Sequence, residues 1–288
     1  MISNSENVQK LNNLIISSYL SHDELNLLTP EELSFLKTNV ENKNFNFSDI
    51  NHIWAIMDRE WNKLNLSNQF SDKNIRAFYN SPVWLLNGIF VENDLQSTIN
   101  RKRFCFEIVE NNPKRIADFG GGFGTLARLI AKELPNSTVE IIEPFPTAIA
   151  LHKAKSQTNL SYQRELTGEY DCIILTDVLE HIENPLDVLY SISNNLSNNN
   201  GLLLVANCFY PVIKCHLPVT FHYRYSFDLI MQKMGFNLES TVSYGKVWRK
   251  VDSIRVPPLD LIKKSRNLFK LTKFFPAKIS IFLTRIFL

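Results

Sequence analysis

Asp118, Gly120, Gly121, Gly122 and Gly124 crowd into one short stretch of a chain that has only nine glycines in 288 residues. Glycine loses more backbone freedom on folding than any other residue, so such a cluster needs a local reason. It lets the chain turn sharply and approach a ligand closely. The spacing narrows the ligand. A dinucleotide fingerprint runs G-x-G-x-x-G; Gly120 and Gly122 fit its first half, and Thr125 breaks the second. What stands here is D-x-G-x-G-x-G. Asp118 is awkward beside a pyrophosphate but suits a cationic amino-acid group. A second acid, Glu143, follows Gly124 by 19 residues. A carboxylate at that distance can accept both hydroxyls of a ribose.

Proton removal near neutral pH is work for histidine. Of six histidines, three fall close to the same edge in sequence: His181, His216 and His222. Each is a candidate general base, and each also has the plainer reading of a hydrogen-bonded structural histidine. Asp177, Glu180 and His181 in "DVLEH" stand at i, i+3 and i+4. On a helical turn they would share a face and could hold a divalent cation. The competing reading is a helix start with acids at its positive end, so a metal is not the expectation.

The elements that must position these residues change character at Lys114. Residues 1–112 read as helices, with "TPEE" as a start signal: Thr29 as cap, Pro30 in the first turn, then two acids. Asn- and Ser-rich breaks fall near 41–48 and 65–73. Tyr79, Trp84 and Phe90 in "FYNSPVWLLNGIF" are candidates for an apolar lid, or for plain helical core. From "RIADF" onward apolar strands alternate with amphipathic helices: "TLARLIAKEL", "TVEIIE", "PTAIALHKAK", "LSYQREL", "YDCIILTD", a helix near 186–196, "GLLLVANCF", then "SFDLIMQKMG". The strand pair "FNLESTVSY" and "KVWRKVDSI", joined through Gly245, closes the run. This alternation predicts an α/β fold, a Rossmann-like doubly wound, mostly parallel sheet with an antiparallel edge, preceded by a helical N-terminal region.

Four segments in order, "ADFGGGFGTLARLI", "VEIIEP", "YDCIILTDVLEHIENP" and "FHYRYSFDLIMQKMGF", resemble the class I S-adenosylmethionine-dependent methyltransferases over about 113–252. The resemblance implies that Gly120, Gly121, Gly122 and Gly124 pack against the amino-acid and ribose portions of S-adenosylmethionine. It implies that Glu143 holds the ribose hydroxyls, that Pro144 lies near the adenine, and that Asp177 and Leu179 line the methionine end. Relatives often carry an Asp after the third strand; here only Glu165 is on offer. The product would be S-adenosylhomocysteine. The implied reaction is O-methylation, less readily N-methylation, of a small molecule or sugar. The alternative is a non-methylating enzyme or a binding protein that uses the same nucleotide pocket.

The domain expectation is a helical region at 1–112 for substrate recognition, a methyltransferase domain at 113–256 and a basic amphipathic extension at 257–288. A formal net charge of +2 gives no footprint for nucleic acid. The four cysteines, Cys105, Cys172, Cys208 and Cys215, form no CxxC pair. Cys172 and Cys208 sit in apolar runs as expected buried thiols, and a reducing, cytoplasmic setting follows. The polar "MISNSENVQK" does not read as a secretory signal. The extension carries seven basic residues against one acid, Asp260. On a helical wheel Leu261, Ile262, Leu268, Phe269, Leu271 and Phe275 gather opposite Lys263, Arg266, Lys270 and Lys273. Such a helix packs on protein or meets an anionic membrane surface. In the second case the acceptor is expected to be a lipid-linked sugar or similar amphiphile. Oligomeric state has no signal in the sequence.

Overall fold

The computed structural model describes residues 15–40, 45–47, 49–68, 70–198, 200–251 and 253–288. Parts of the two expected breaks, at 41–44, 48 and 69, lie outside these residues. Among the described residues, the helices that precede the sheet include α1 His22–Leu25, α2 Pro30–Val40, α3 Ile50–Lys63, α4 Asp72–Tyr79, α5 Val83–Asn93 and α6 Leu95–Glu110. Thr29 and Glu32 close a capping box ahead of α2, each side chain accepting from the other's backbone N–H at 3.1 and 2.8 Å.

The sheet has seven strands in the order β3-β2-β1-β4-β5-β7-β6. The strands are β1 Arg115–Phe119, β2 Thr138–Ile142, β3 Leu160–Gln163, β4 Cys172–Thr176, β5 Leu202–Ala206, β6 Phe236–Val242 and β7 Gly245–Lys250. The first five run parallel, and β7 pairs antiparallel with both β5 and β6. Between them lie α7 Thr125–Glu133, α8 Ala148–Ala154, α9 Pro185–Ser193 and α10 Tyr223–Met234; α11 Leu259–Thr272 and α12 Ala277–Phe287 follow the sheet. The turn between β6 and β7 is Ser243–Tyr244, with Ser243 at φ 55°. Gly245 is therefore the first residue of β7 and not the joint. A Cβ on it would sit 2.9 Å from the Phe104 ring and 3.0 Å from Ala206.

Alternate side chains of each strand feed opposite layers, as a period of two requires. Ile116, Ile174, Leu204 and Val247 pack under α6 and α7, while Ala117, Ile173, Leu203 and Trp248 pack under α9 and α10. Phe104, Cys105 and Ile108 of α6 belong to the first of these cores. The change of packing thus falls before Leu95, ahead of the 112/113 division drawn from composition. A third core joins the N-terminal helices to Phe123, Ile149, Ile213 and Leu217, which come from loops and helices at the carboxyl edge of the strands. The N-terminal region therefore roofs the edge where ligands bind in such sheets. Glu92 of α5 pairs with Arg128 and Lys153, and Lys153 also reaches Glu24, which ties roof to sheet.

Candidate active site

Strand order reverses between β1 and β4, and the crevice beyond their carboxyl ends opens into a cavity of about 1310 Å³. Its sheet-side wall is the loop after β1. Gly120, Gly122 and Gly124 adopt φ of 70°, 51° and 73°, a left-handed conformation that glycine takes without cost. Crowding adds a second constraint. A Cβ on Gly121 would meet Asp118 Oδ2 at 2.6 Å, whereas one on Gly122 would meet nothing within 4 Å. The loop thus presses on Asp118 on one side and faces open space on the other. The Tyr162 hydroxyl on β3 braces it by donating to the Gly122 carbonyl at 2.9 Å.

Asp118 lines the cavity yet is 1% exposed, and its Oδ1 has no hydrogen-bond partner. Burial lifts its pKa to about 7 against the pull of Arg101. Glu143 stands one residue past β2 and lines the same wall, next to Pro144. Its Oε1 accepts the Phe145 N–H at 3.1 Å, and burial raises its pKa as well. Glu165, by contrast, is exposed on the loop after β3 and is absent from the lining.

Beyond β4, Asp177 takes φ 55°, a strained setting for a non-glycine residue. Its Oδ2 accepts the Tyr244 hydroxyl at 2.7 Å, and both side chains line the cavity. Val178 lines it too, but Leu179 does not: its side chain is fully buried among Leu186, Leu189 and Val205. The expectation for Leu179 is corrected, because a 3₁₀ turn over Leu179–His181 follows the left-handed Asp177 and rotates that side chain into the core.

The same turn undoes the proposed face of Asp177, Glu180 and His181. Glu180 is fully buried, its Oε1 accepts the Cys208 N–H at 2.7 Å and its Oε2 is unpartnered. Burial, then the neighbouring Asp177, pushes its pKa up to about 8. Among the described residues, the group that offers ligand atoms within 4.8 Å of one another is Glu180, His181 and His216.

His181 and His216 meet at the cavity floor with ring centroids 4.9 Å apart. A carbonyl oxygen only accepts, so each Nδ1 carries a proton: His181 donates to Cys215 O at 3.0 Å and His216 to Tyr210 O at 2.8 Å. Burial holds both pKa values low, that of His181 at about 3. Their neutral Nε2 atoms are left as acceptors. His222 is elsewhere. It lies between α10 and α11, its Nδ1 2.9 Å from Ser265 Oγ, and it does not line the cavity. Packing of the C-terminal helices draws it away from the site, which corrects its candidacy. Cys208 is half-exposed on the cavity wall, against the expectation of a buried thiol; all four cysteines are free.

The rest of the wall comes from the N-terminal region: Trp54, Met57, Ile75, Tyr79 and Trp84 of its helices and Phe70 of the loop before α4. Tyr79 and Trp84 stack at 5.1 Å, and Trp84 meets His181 edge-on at 6.2 Å. Phe90 also reaches the lining. Arg101 and Tyr244, which reach the site from α6 and the β6–β7 turn, belong to no motif in the sequence. Tyr162 in "LSYQ" carries a signal, since a tyrosine on a polar edge strand needs a partner for its hydroxyl.

Residues 90–212 match a protein family described as a methyltransferase domain. The mitochondrial ubiquinone biosynthesis O-methyltransferase of Schizosaccharomyces pombe is 28% identical over 123 residues, which cover 38% of this chain and 42% of that protein. The match thus spans less than half of that relative. Human N-acetylserotonin methyltransferase, solved with S-adenosylmethionine, aligns at a TM-score of 0.46 and 15% identity over 77% of this chain and 71% of that one. An O-methyltransferase of neocarzinostatin biosynthesis, solved with S-adenosylmethionine and 2-hydroxy-5-methyl naphthoic acid, aligns at 0.49 and 12% identity over 75% and 76%. Among the described residues no helix is long and apolar enough to cross a membrane. The family match over residues 90–212, the strand order and the glycine loop after β1 agree with a methyltransferase domain of the class I S-adenosylmethionine-dependent kind.

Proposed function

We propose that this protein transfers a methyl group from S-adenosylmethionine to a hydroxyl oxygen on a small apolar or aromatic acceptor. One observation carries the reading: a single cavity joins the Asp118–glycine–Glu143 wall to the two histidines under an aromatic roof. The cofactor fits the residues present. The orphaned, buried Asp118 carboxylate lacks a cation, which the α-ammonium supplies. Glu143 keeps acceptor capacity for ribose hydroxyls, and open space faces Gly122. When bound, the cofactor supplies an electrophilic methyl group on a cationic sulfur.

The chain's own work is alignment and proton removal. His181 takes the acceptor's proton at Nε2, and the Cys215 carbonyl fixes its ring and tautomer. His216 packs against it and holds the Tyr210 loop to the cavity floor. The apolar roof orients the acceptor ring and keeps water out. A free sugar suits this roof poorly, since few polar groups there would replace its hydration. The unpartnered Glu180 Oε2 favours a second reading, a divalent cation held by Glu180, His181 and His216.

The test is a panel of phenols and other hydroxyl compounds with labelled S-adenosylmethionine, in the presence and absence of a chelator. His181→Ala should lower kcat roughly 10²- to 10⁴-fold with an unchanged Kd for S-adenosylhomocysteine. Full turnover in that variant would remove His181 from the reaction. Loss of activity with chelator alone, restored by metal, would select the cation reading.

A further inference from the structure

Helices α11 and α12 are built inside out. They pack on one another and on α10, and the residues they bury are small and polar: Ser265, Thr272, Ser280 and Thr284. Every one of these hydroxyls is satisfied locally. Ser265 Oγ lies 2.6 Å from Ser226 Oγ, Thr272 donates to Leu268 O, Ser280 to Thr272 O and Thr284 to Ser280 O. Leu261 and Ile262 at the start of α11 pack on the core, and Leu268, Phe269 and Leu283 are half-buried, but the other large apolar side chains of the two helices are exposed. Phe274 at the tip is 85% exposed and Phe282 on α12 is 61% exposed, and Leu271, Phe275, Ile279, Ile286 and Phe287 are exposed beside them. A helix on a water-soluble core shows the reverse order.

Exposed Lys263, Lys264, Arg266, Lys270, Lys273 and Lys278 accompany this apolar surface. Residues 257–288 carry seven bases and one acid, a net of +6 in a chain of +2, so residues 1–256 sum to −4. We propose that the α11–α12 hairpin docks on an anionic bilayer surface, with Phe274, Phe282 and their apolar neighbours in the acyl boundary and the lysines among the headgroups. Protein interfaces deplete lysine, whereas the membrane interface takes lysine and aromatic rings together. At 1.5 Å per residue the 11 residues of α12 reach about 16 Å, half the hydrocarbon thickness, so the hairpin lies in the surface and does not span it. The Arg224 guanidinium sits over both Phe269 of α11 (5.0 Å) and Tyr210 of the cavity wall (4.2 Å). The docked hairpin therefore adjoins the wall of the cavity, which suits an acceptor that dissolves in lipid.

Vesicle flotation of the full chain tests this, with phosphatidylcholine vesicles that contain or lack phosphatidylglycerol. The protein should float with the anionic vesicles, less with the neutral ones, and be released by added salt. Lys263→Gln with Lys270→Gln should weaken the partition coefficient about thirtyfold, two charges at about 1 kcal/mol each. Phe274→Ser with Phe282→Ser should abolish flotation while melting temperature and S-adenosylhomocysteine affinity stay unchanged, since both rings are exposed. Should the phenylalanine pair lose its cooperative melt, the lysine pair and the wild-type salt series decide alone. A wild-type chain that stays at the bottom of the gradient with anionic vesicles overturns the proposal. So does a dimer in sedimentation velocity that Phe274→Ser with Phe282→Ser dissociates without any flotation, which would assign the face to a second copy.

Discussion

Asp118 is the residue whose replacement separates binding from stability most clearly. Its carboxyl is buried, one oxygen has no partner, and its pKa stands near 7. Only the ionised form pairs with a ligand's ammonium. Near pKa 7 half of the molecules are competent at pH 7.0, and about one in thirty at pH 5.5. Apparent Kd for S-adenosylhomocysteine should therefore weaken about sixteenfold over that interval. Both pH values lie below the range in which an α-amino group loses its proton. Asp118→Asn removes the charge and keeps the shape. It should weaken binding at pH 7 by roughly ten- to hundredfold, the worth of one charge-assisted hydrogen bond, and remove the pH dependence of about sixteenfold.

Stability moves in the opposite sense. The folded-state pKa of about 7 lies above the unfolded value of 3.8. Ionisation of Asp118 thus costs stability in full above pH 7, and the cost is gone below about pH 3.8. Ligand-free Asp118→Asn should be more stable than the wild type at pH 8, by something on the order of 2–4 kcal/mol, and the gain should shrink as pH falls through 7. Calorimetric titration at pH 5.5, 6.2 and 7.0, with thermal melts at pH 5 and 8, reads both effects. A wild-type Kd that is flat over this range, or an asparagine variant that melts lower at pH 8, would refute the picture of an isolated carboxylate awaiting a cation.

Two glycine variants should part ways in a ligand-free melt: Gly121→Ala places a Cβ 2.6 Å from Asp118 Oδ2 and should lose more stability than Gly122→Ala, which meets no protein atom and costs about 1 kcal/mol for its φ of 51°. Both should weaken ligand binding, the second because its Cβ enters the space assigned to the cofactor. Tyr244→Phe removes the 2.7 Å hydrogen bond to Asp177 Oδ2 and should weaken S-adenosylhomocysteine binding about fivefold, near 1 kcal/mol, by calorimetry. His222→Ala should lower the melting temperature by the equivalent of roughly 1–3 kcal/mol through loss of the Ser265 contact, with kcat unchanged in the methyl-transfer assay.

The sheet was legible because strands buried on both faces read as unbroken apolar runs, as in Cys172–Thr176 and Leu202–Ala206. The glycine wall was legible because backbone conformation restricts residue type so strongly. What sequence could not supply was direction. Leu179 and Val178 are neighbours of similar character, and only the left-handed turn at Asp177 decides which one meets the cavity. His222 sits six residues beyond His216 in the same loop, yet Ser265, 43 residues on, fixes its ring away from the site. In the C-terminal helices the periodicity of apolar residues was visible, but periodicity does not say which side faces protein. Leu271 and Phe275 turned out exposed, and Ser265 and Thr272 buried.

The unmet polar groups themselves mark where the chemistry lies. Asp118 Oδ1 and Asn207 Oδ1 are buried without partners among the described residues, and both residues line the cavity; Glu180 Oε2 lies directly beside it. A folded chain normally satisfies such atoms, because each one left bare costs roughly 1–3 kcal/mol, and more when charged. Three of the seven such atoms found among the described residues belong to Asp118, Glu180 and Asn207, around the crevice that also holds Asp177 at φ 55° beneath the aromatic roof. The roof comes from helices that share a core with the loops of the site. Ligand binding therefore satisfies the orphans and completes the packing between roof and sheet in the same step. By that logic S-adenosylhomocysteine should raise the melting temperature of Asp118→Asn far less than that of the wild type at equal concentration, because the strongest of the unmet groups is no longer there to be satisfied.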